Sequence, residues 1–239
     1  MKWPFRRAGG SRRPVSDLRL PGDTADRAAP VEDAFRRAMA DLLNGRLADA
    51  VTNLDRCLAL DEGFAPAYST RAGILVREGR YEEAMRDIAR ALTLRPGHVG
   101  DLHNRAVVWT ALERYDRAIA DYEAVLLREP ESAGTWNNLA WVLATAKDSR
   151  VRDGARAVAC ARSALRSGRE PAWLDTLAAA WAECGEFERA IAAEEEAWRS
   201  STPRNERFRR RLEWYRQGRT IAGWRAEHDT VSKQTGDRR

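Results

Sequence analysis

Catalysis and metal binding require reactive side chains grouped at set intervals, and this chain of 239 residues offers few such groups. Its three histidines, His98, His103 and His228, are too scattered for a metal centre. His98 and His103 flank a turn, where exposure to solvent is the expected state. Cys57, Cys160 and Cys184 are an odd number without CxxC spacing, which argues against a disulfide framework and against a zinc knuckle. On helices they read as small core residues or inert thiols. Glu194-Glu195-Glu196 points three ways around a helix, so it does not form a paired acid/base site. There is no GxSxG, GxxxxGKS, HExxH or dinucleotide fingerprint. The sequence therefore reads as a non-enzyme with no metal and no cofactor. What stands out instead is a recurrence. Asn104 and Asn138 lie 34 residues apart, each able to donate and accept hydrogen bonds, and Trp141 follows close behind.

The same interval organises much of the chain. Ala50, Ala84 and Ala118 are spaced by 34, as are Gly45, Gly79 and Glu113, then Leu47, Tyr81 and Tyr115, and also Pro96 and Pro130. Within one period, Tyr68, Ala72, Leu75 and Val76 paint one face of a helix. Glu78-Gly79-Arg80 breaks that run, since Gly costs roughly 1 kcal/mol inside a helix and favours the turn. Ala84, Ile88, Ala91 and Leu92 form a second stripe, stopped at Arg95-Pro96 because proline disfavours helical geometry in the residue before it. Each period is an antiparallel helical hairpin.

These residues resemble the tetratricopeptide repeat. Residues 65–98 match its pattern with Tyr68, Ala72, Leu75, Gly79, Tyr81, Ala84, Ala91 and Pro96, departing at Arg71 and Ile88. Residues 99–132 match with Leu102, Ala106, Trp109, Tyr115, Ala118, Tyr122 and Pro130, departing at Arg105 and Glu113. The weaker 31–64 keeps register through Ala34, Ala38, Gly45, Leu47, Ala50 and Leu54. The resemblance implies an all-α fold, an α-solenoid in which antiparallel hairpins build a right-handed superhelix. It divides 31–203 into 31–64, 65–98, 99–132, 133–170 and 171–203. The fourth unit carries extra residues, placed in the polar stretch Lys147 to Gly154 so that Ala157, Ala161 and Ala164 pack inward. Residues 204–217 read as a capping helix, with Thr202 as N-cap and Pro203 next, a Phe208, Leu212 and Tyr215 stripe, and Arg209-Arg210-Arg211 as a solvated face. Trp136, the large residue of unit four, is expected to cost roughly 3–5 kcal/mol when cut to Ala.

The resemblance further implies that the first helices line a concave face that binds a peptide or protein segment. Carried onto this sequence, its lining includes Thr70, Arg77, His103, Asn104, Asn137, Asn138, Trp141 and Asp175. In related superhelical repeats an asparagine ladder bonds the peptide backbone, the role this suggests for Asn104 and Asn138. The alternative is that each solvates the groove or bonds a neighbouring turn. Trp141 is either a binding anchor or packs against the helix of Asn104. The carboxylate-clamp subtype is excluded, because Phe35, Gly100 and Asn104 stand where it needs basic residues.

Composition agrees with a globular chain: 44% hydrophobic and 32% charged, with no apolar run longer than Leu139 to Ala146, far short of a membrane span. Net charge is +5, concentrated at the ends: residues 1–20 carry +5 and 203–239 carry +6, leaving the middle at −6. Residues 1–30 read as a disordered basic segment and 218–239 as a basic, partly disordered tail. Nucleic-acid or anionic-surface binding through these Arg-rich termini is the alternative function. No secretion signal is evident, so the expected compartment is the cytoplasm. The sequence identifies neither the partner nor the oligomeric state.

Overall fold

The computed structural model describes residues 24–202 and 205–223, and these contain helices and connecting turns with no strand. The helices are α1 (Thr24–Leu43), α2 (Leu47–Leu60), α3 (Ala65–Arg77), α4 (Tyr81–Leu94), α5 (Val99–Ala111), α6 (Tyr115–Arg128), α7 (Ala133–Thr145), α8 (Gly154–Ala164), α9 (Pro171–Glu183), α10 (Phe187–Ser200) and α11 (Glu206–Arg216). The chain divides into two compact units between Ala67 and Tyr68.

In the first unit α1 packs on α2. Val31, Ala34 and Ala38 are buried from one helix, and Ala50, Leu54 and Cys57 from the other. Helix α1 starts at Thr24, so residues 24–30, read from sequence as part of a disordered segment, are helical, with Pro30 inside the helix. Residues 1–23 and 224–239, which hold most of the two basic ends, lie outside the described residues.

In the second unit α5 packs on α6, α7 on α8 and α9 on α10, and each pair meets the next through α6 and α7 or α8 and α9. The small residues sit where helices approach: Ala72, Ala84, Ala106 and Ala118 are all fully buried. A larger side chain there would overpack the contact by about 1–3 kcal/mol. The inward placement of Ala157, Ala161 and Ala164 is also found, all three being fully buried.

The departures from the repeat pattern have physical counterparts. Arg71 sends Nε and Nη2 to the two carboxylate oxygens of Asp87, both at 2.7 Å. Arg105 does the same to Asp121 at 2.8 Å. A planar guanidinium matched to a carboxylate thus ties the two helices of each hairpin. At the tight turns Gly79 and Gly185 take the left-handed conformation, at φ 74° and 77°, and Glu113 takes it too, at φ 58°. A non-glycine residue there costs roughly 1–2 kcal/mol. The Glu113 side chain pairs with Lys147 Nζ at 2.7 Å.

Lys147 to Asp153 form the lengthened turn between α7 and α8. Arg152 secures it, donating to the Ala146 carbonyl at 2.9 Å and to Glu183 at 2.8 Å. Asp153 then caps α8, its side chain accepting from the Arg156 N–H at 2.9 Å. Gly154 allows α8 to start against the end of α9. A Cβ there would lie 2.8 Å from Cys184 Sγ and 3.0 Å from the Cys184 backbone nitrogen.

Trp136 is partly buried, packed against the edge of the core, with its indole N–H donating to the Pro130 carbonyl at 2.6 Å. The N-cap of α11 is Asn205, whose side chain accepts from the Arg207 N–H at 3.0 Å, rather than Thr202. Pro203 falls outside the described residues.

Candidate binding surface

The candidate residues lie on α5, α7 and α9, with Thr70 and Arg77 on α3. Thr70 is half-buried, and Arg77 is exposed as the last residue of α3. The two asparagines of the recurrence have different surroundings. Asn104 on α5 packs over Gly73 of α3, its amide nitrogen 3.7 Å from where a glycine Cβ would stand. Asn138 on α7 reaches back to α5, its Nδ2 lying 3.4 Å from His103 Nε2. The other ring nitrogen, Nδ1, lies 2.9 Å from Thr135 Oγ1, and Thr135 is 2.8 Å from Ser132 Oγ. An amide donor at Nε2 leaves the imidazole proton on Nδ1, so His103 donates to Thr135, which in turn donates to Ser132.

His103 is therefore not the exposed turn residue read from sequence. It is half-buried, and burial holds its pKa below the ordinary value of 6.5, so the neutral ring is the resting form. His98 is half-buried as well, with Nδ1 2.9 Å from the fully buried Asp101. Asn137 carries a buried amide oxygen without a hydrogen-bond partner among the described residues.

Trp141 lies one turn further along α7. Its indole is half-buried against the core and lines a cavity of about 300 Å³ with Thr110, Tyr115, Val142, Thr145 and Lys147. The Thr110 and Thr145 hydroxyls donate to carbonyls of their own helices, at 2.9 and 2.8 Å, which leaves an aromatic and aliphatic wall with the Glu113–Lys147 pair at its rim. An open cleft of about 730 Å³ adjoins it and shares Glu113, Tyr115 and Lys147.

Asp175 is brought to Trp141 by a residue the sequence reading placed in solvent. Arg211 of α11 is buried, ion-paired with Asp175, and its guanidinium carbon lies 4.9 Å from the Trp141 ring centroid. Arg209 and Arg210 are exposed, as read; Arg211 is not. Glu194, assigned from sequence to a run pointing three ways, is fully buried on α10 behind the same group. Burial and the neighbouring Asp175 push its carboxyl up to about 10. Tyr215 completes the cluster, its pKa raised well above the usual phenol value by burial and by Glu194.

Spacing carried a signal for both missed residues. Arg211 belongs to the helical face Phe208, Arg211, Leu212, Tyr215, and Glu194 to Ala190, Ala193, Glu194, Ala197. A charged residue on a buried stripe has to be paired or neutralised. The structure thus joins His103 to Asn138 and Trp141 to Asp175.

Among the described residues there is no group of histidine, cysteine or acidic side chains arranged to hold a metal, and no helix is long and apolar enough to cross a membrane. Two of the three thiols, Cys57 and Cys160, are buried, and burial raises the pKa of all three.

Residues 35–99 and 111–150 match a tetratricopeptide-repeat family model. No curated protein matches the chain. A thermophilic tetratricopeptide-repeat protein of Thermus thermophilus is similar in fold, with a TM-score of 0.60 at 18% identity, covering 77% of this chain and 98% of its own. A tetratricopeptide-repeat protein from Parabacteroides merdae gives 0.62 at 17%, covering 80% and 75%. YrrB, described as a tetratricopeptide-repeat protein with an unusual peptide-binding site, gives 0.55 at 16%, covering 72% and 90%. The 34-residue recurrence, the small residues at the helix crossings and these matches have one explanation: residues 35–99 and 111–150 carry tetratricopeptide repeats, in an all-helical fold similar to that of tetratricopeptide-repeat proteins.

Proposed function

We propose that this protein is a non-catalytic interaction module that binds a peptide or protein segment along the face formed by α5, α7 and α9. The observation that carries the reading is the cavity at Trp141. A half-buried indole, a tyrosine and threonine side chains whose hydroxyls are bonded to their own helices make a wall suited to an apolar side chain of a partner. Aromatic residues held this way are the residues that most often dominate binding energy. YrrB, similar in fold, is described as having a peptide-binding site, which supports the same use of this surface. Thr70, Arg77, Asn104 and Asn137 flank the anchor as polar contacts for the segment. Asn138 contributes by fixing His103.

The test is selection of a random dodecapeptide library displayed on phage against the full chain. Enriched peptides should share a large apolar or aromatic position. Their binding to the Trp141→Ala variant should fall by on the order of 30-fold, the loss of about 2 kcal/mol expected for an anchor residue. Binding unchanged in Trp141→Ala and in Asn104→Ala would reject this surface.

A further inference from the structure

We propose that α11 is a proton-linked latch on this surface: Arg211 fixes the indole of Trp141, and Glu194 must carry a proton for that hold to persist. The inference rests on the reading of Trp141 as an anchor only for its consequence, because the latch itself can be tested without a partner.

Three helices converge on one guanidinium. Arg211 is buried, lies 4.9 Å from the Trp141 ring centroid and is ion-paired with Asp175 of α9. Arg207, half-exposed, reaches the second Asp175 oxygen at 3.7 Å. Glu194 of α10 is fully buried with its carboxyl against that of Asp175, and among the described residues no donor reaches either of its oxygens. Two buried carboxyl groups therefore share a single buried cation. An anion with both oxygens unbonded in such a place is far costlier than the neutral acid. With Glu194 neutral, Arg211 can serve Asp175 and Trp141 together. With Glu194 ionised, a second negative charge competes for Arg211 and draws it from the indole.

Among the described residues few charged or titratable groups face Glu194. Helix α10 packs on α9 and α11. From α9 comes Asp175; from α11 come Arg207, Arg211 and Tyr215, the last with a buried hydroxyl that lacks a hydrogen-bond partner among the described residues. On α10 itself Glu195 pairs with Arg216 and Glu196 with Arg169. Burial and Asp175 raise the Glu194 carboxyl and Arg211 opposes the shift, so deprotonation begins on the alkaline side of neutral.

The experiment follows α11 and Trp141 in the full chain between pH 6 and pH 10. Amide exchange over residues 206–216 is corrected for intrinsic base catalysis with an unfolded-peptide reference. A 5-fluorotryptophan label reports the Trp141 resonance, assigned by its absence in Trp141→Phe. In the parent, protection of α11 should fall by up to about tenfold per pH unit throughout this window, because the opened helix releases the Glu194 proton, and the Trp141 resonance should move toward its alkaline end. In Glu194→Gln both should be flat with pH. Arg211→Lys keeps the charge but loses the planar stack, so it should displace the Trp141 resonance at every pH. Parallel pH profiles for parent and Glu194→Gln overturn the latch, as does an Arg211→Lys resonance identical to the parent's. Should Glu194→Gln fail to fold, the parent decides alone: a Trp141 resonance that stays still from pH 7 to 10 overturns the proposal. A surface that captures no peptide leaves all of these readings intact.

Discussion

Replacing Asp121 by Ala would strand the Arg105 guanidinium between α5 and α6. The pair is bidentate, with both contacts at 2.8 Å, and the two side chains are 34% and 10% exposed. That places it between two regimes. A fully exposed pair is worth about 0–1 kcal/mol, whereas removing one partner of a buried pair costs about 3–5 kcal/mol. Hydrogen bonds to charged groups contribute about 1.5–3 kcal/mol. We therefore expect Asp121→Ala to cost about 2–3 kcal/mol. Arg105→Leu combined with Asp121→Ala should return to within about 1 kcal/mol of the parent, because a mutually apolar contact leaves no unpaired charge. The double-mutant cycle should then show a coupling of at least about 1.5 kcal/mol. Urea unfolding followed by circular dichroism and by tryptophan fluorescence provides the values, valid where the two transitions coincide. The Arg71–Asp87 pair, with the same geometry at 2.7 Å, should repeat the result. Additive single effects at either pair would show that the ion pair does not hold the hairpin, and the reasoning would fail.

Other outcomes follow from the same packing. Trp136→Ala should cost about 2 kcal/mol in urea unfolding, less than the roughly 3–5 kcal/mol of a fully buried ring, since its indole is only partly covered. Glu194 binds a proton more tightly folded than unfolded, its carboxyl rising from 4.5 to about 10, so its contribution to stability is complete below pH 4.5 and declines as pH rises toward 10. The stability difference between Glu194→Gln and the parent should accordingly widen in favour of the variant from pH 5 to 9, by up to about 1.4 kcal/mol per pH unit in thermal melts; a constant difference would refute the assignment. Gly154→Ala should destabilise by about 1–3 kcal/mol despite the better helix propensity of alanine, because its methyl meets the Cys184 backbone at 3.0 Å. An unchanged urea midpoint for that variant would show that the α8–α9 junction yields freely.

Repetition made the helical architecture legible in the chain itself. A period of 34 with alanines at fixed phase can only be satisfied by helices crossing closely at those alanines, and Ala72, Ala84, Ala106 and Ala118 are fully buried. The inward set Ala157, Ala161 and Ala164 could be read the same way, because helical spacing is local information. The chemistry of the surface was not local. Asn138 looks like Asn104 one period on, yet it turns to a histidine on the preceding first helix while Asn104 covers a glycine. Arg211 and Glu194 look like members of charged runs, and their burial follows only from α9, α10 and α11 meeting around Asp175. Spacing says which face of a helix is turned inward; only the neighbouring helices decide whether a charge on that face finds its counter-ion or keeps a proton.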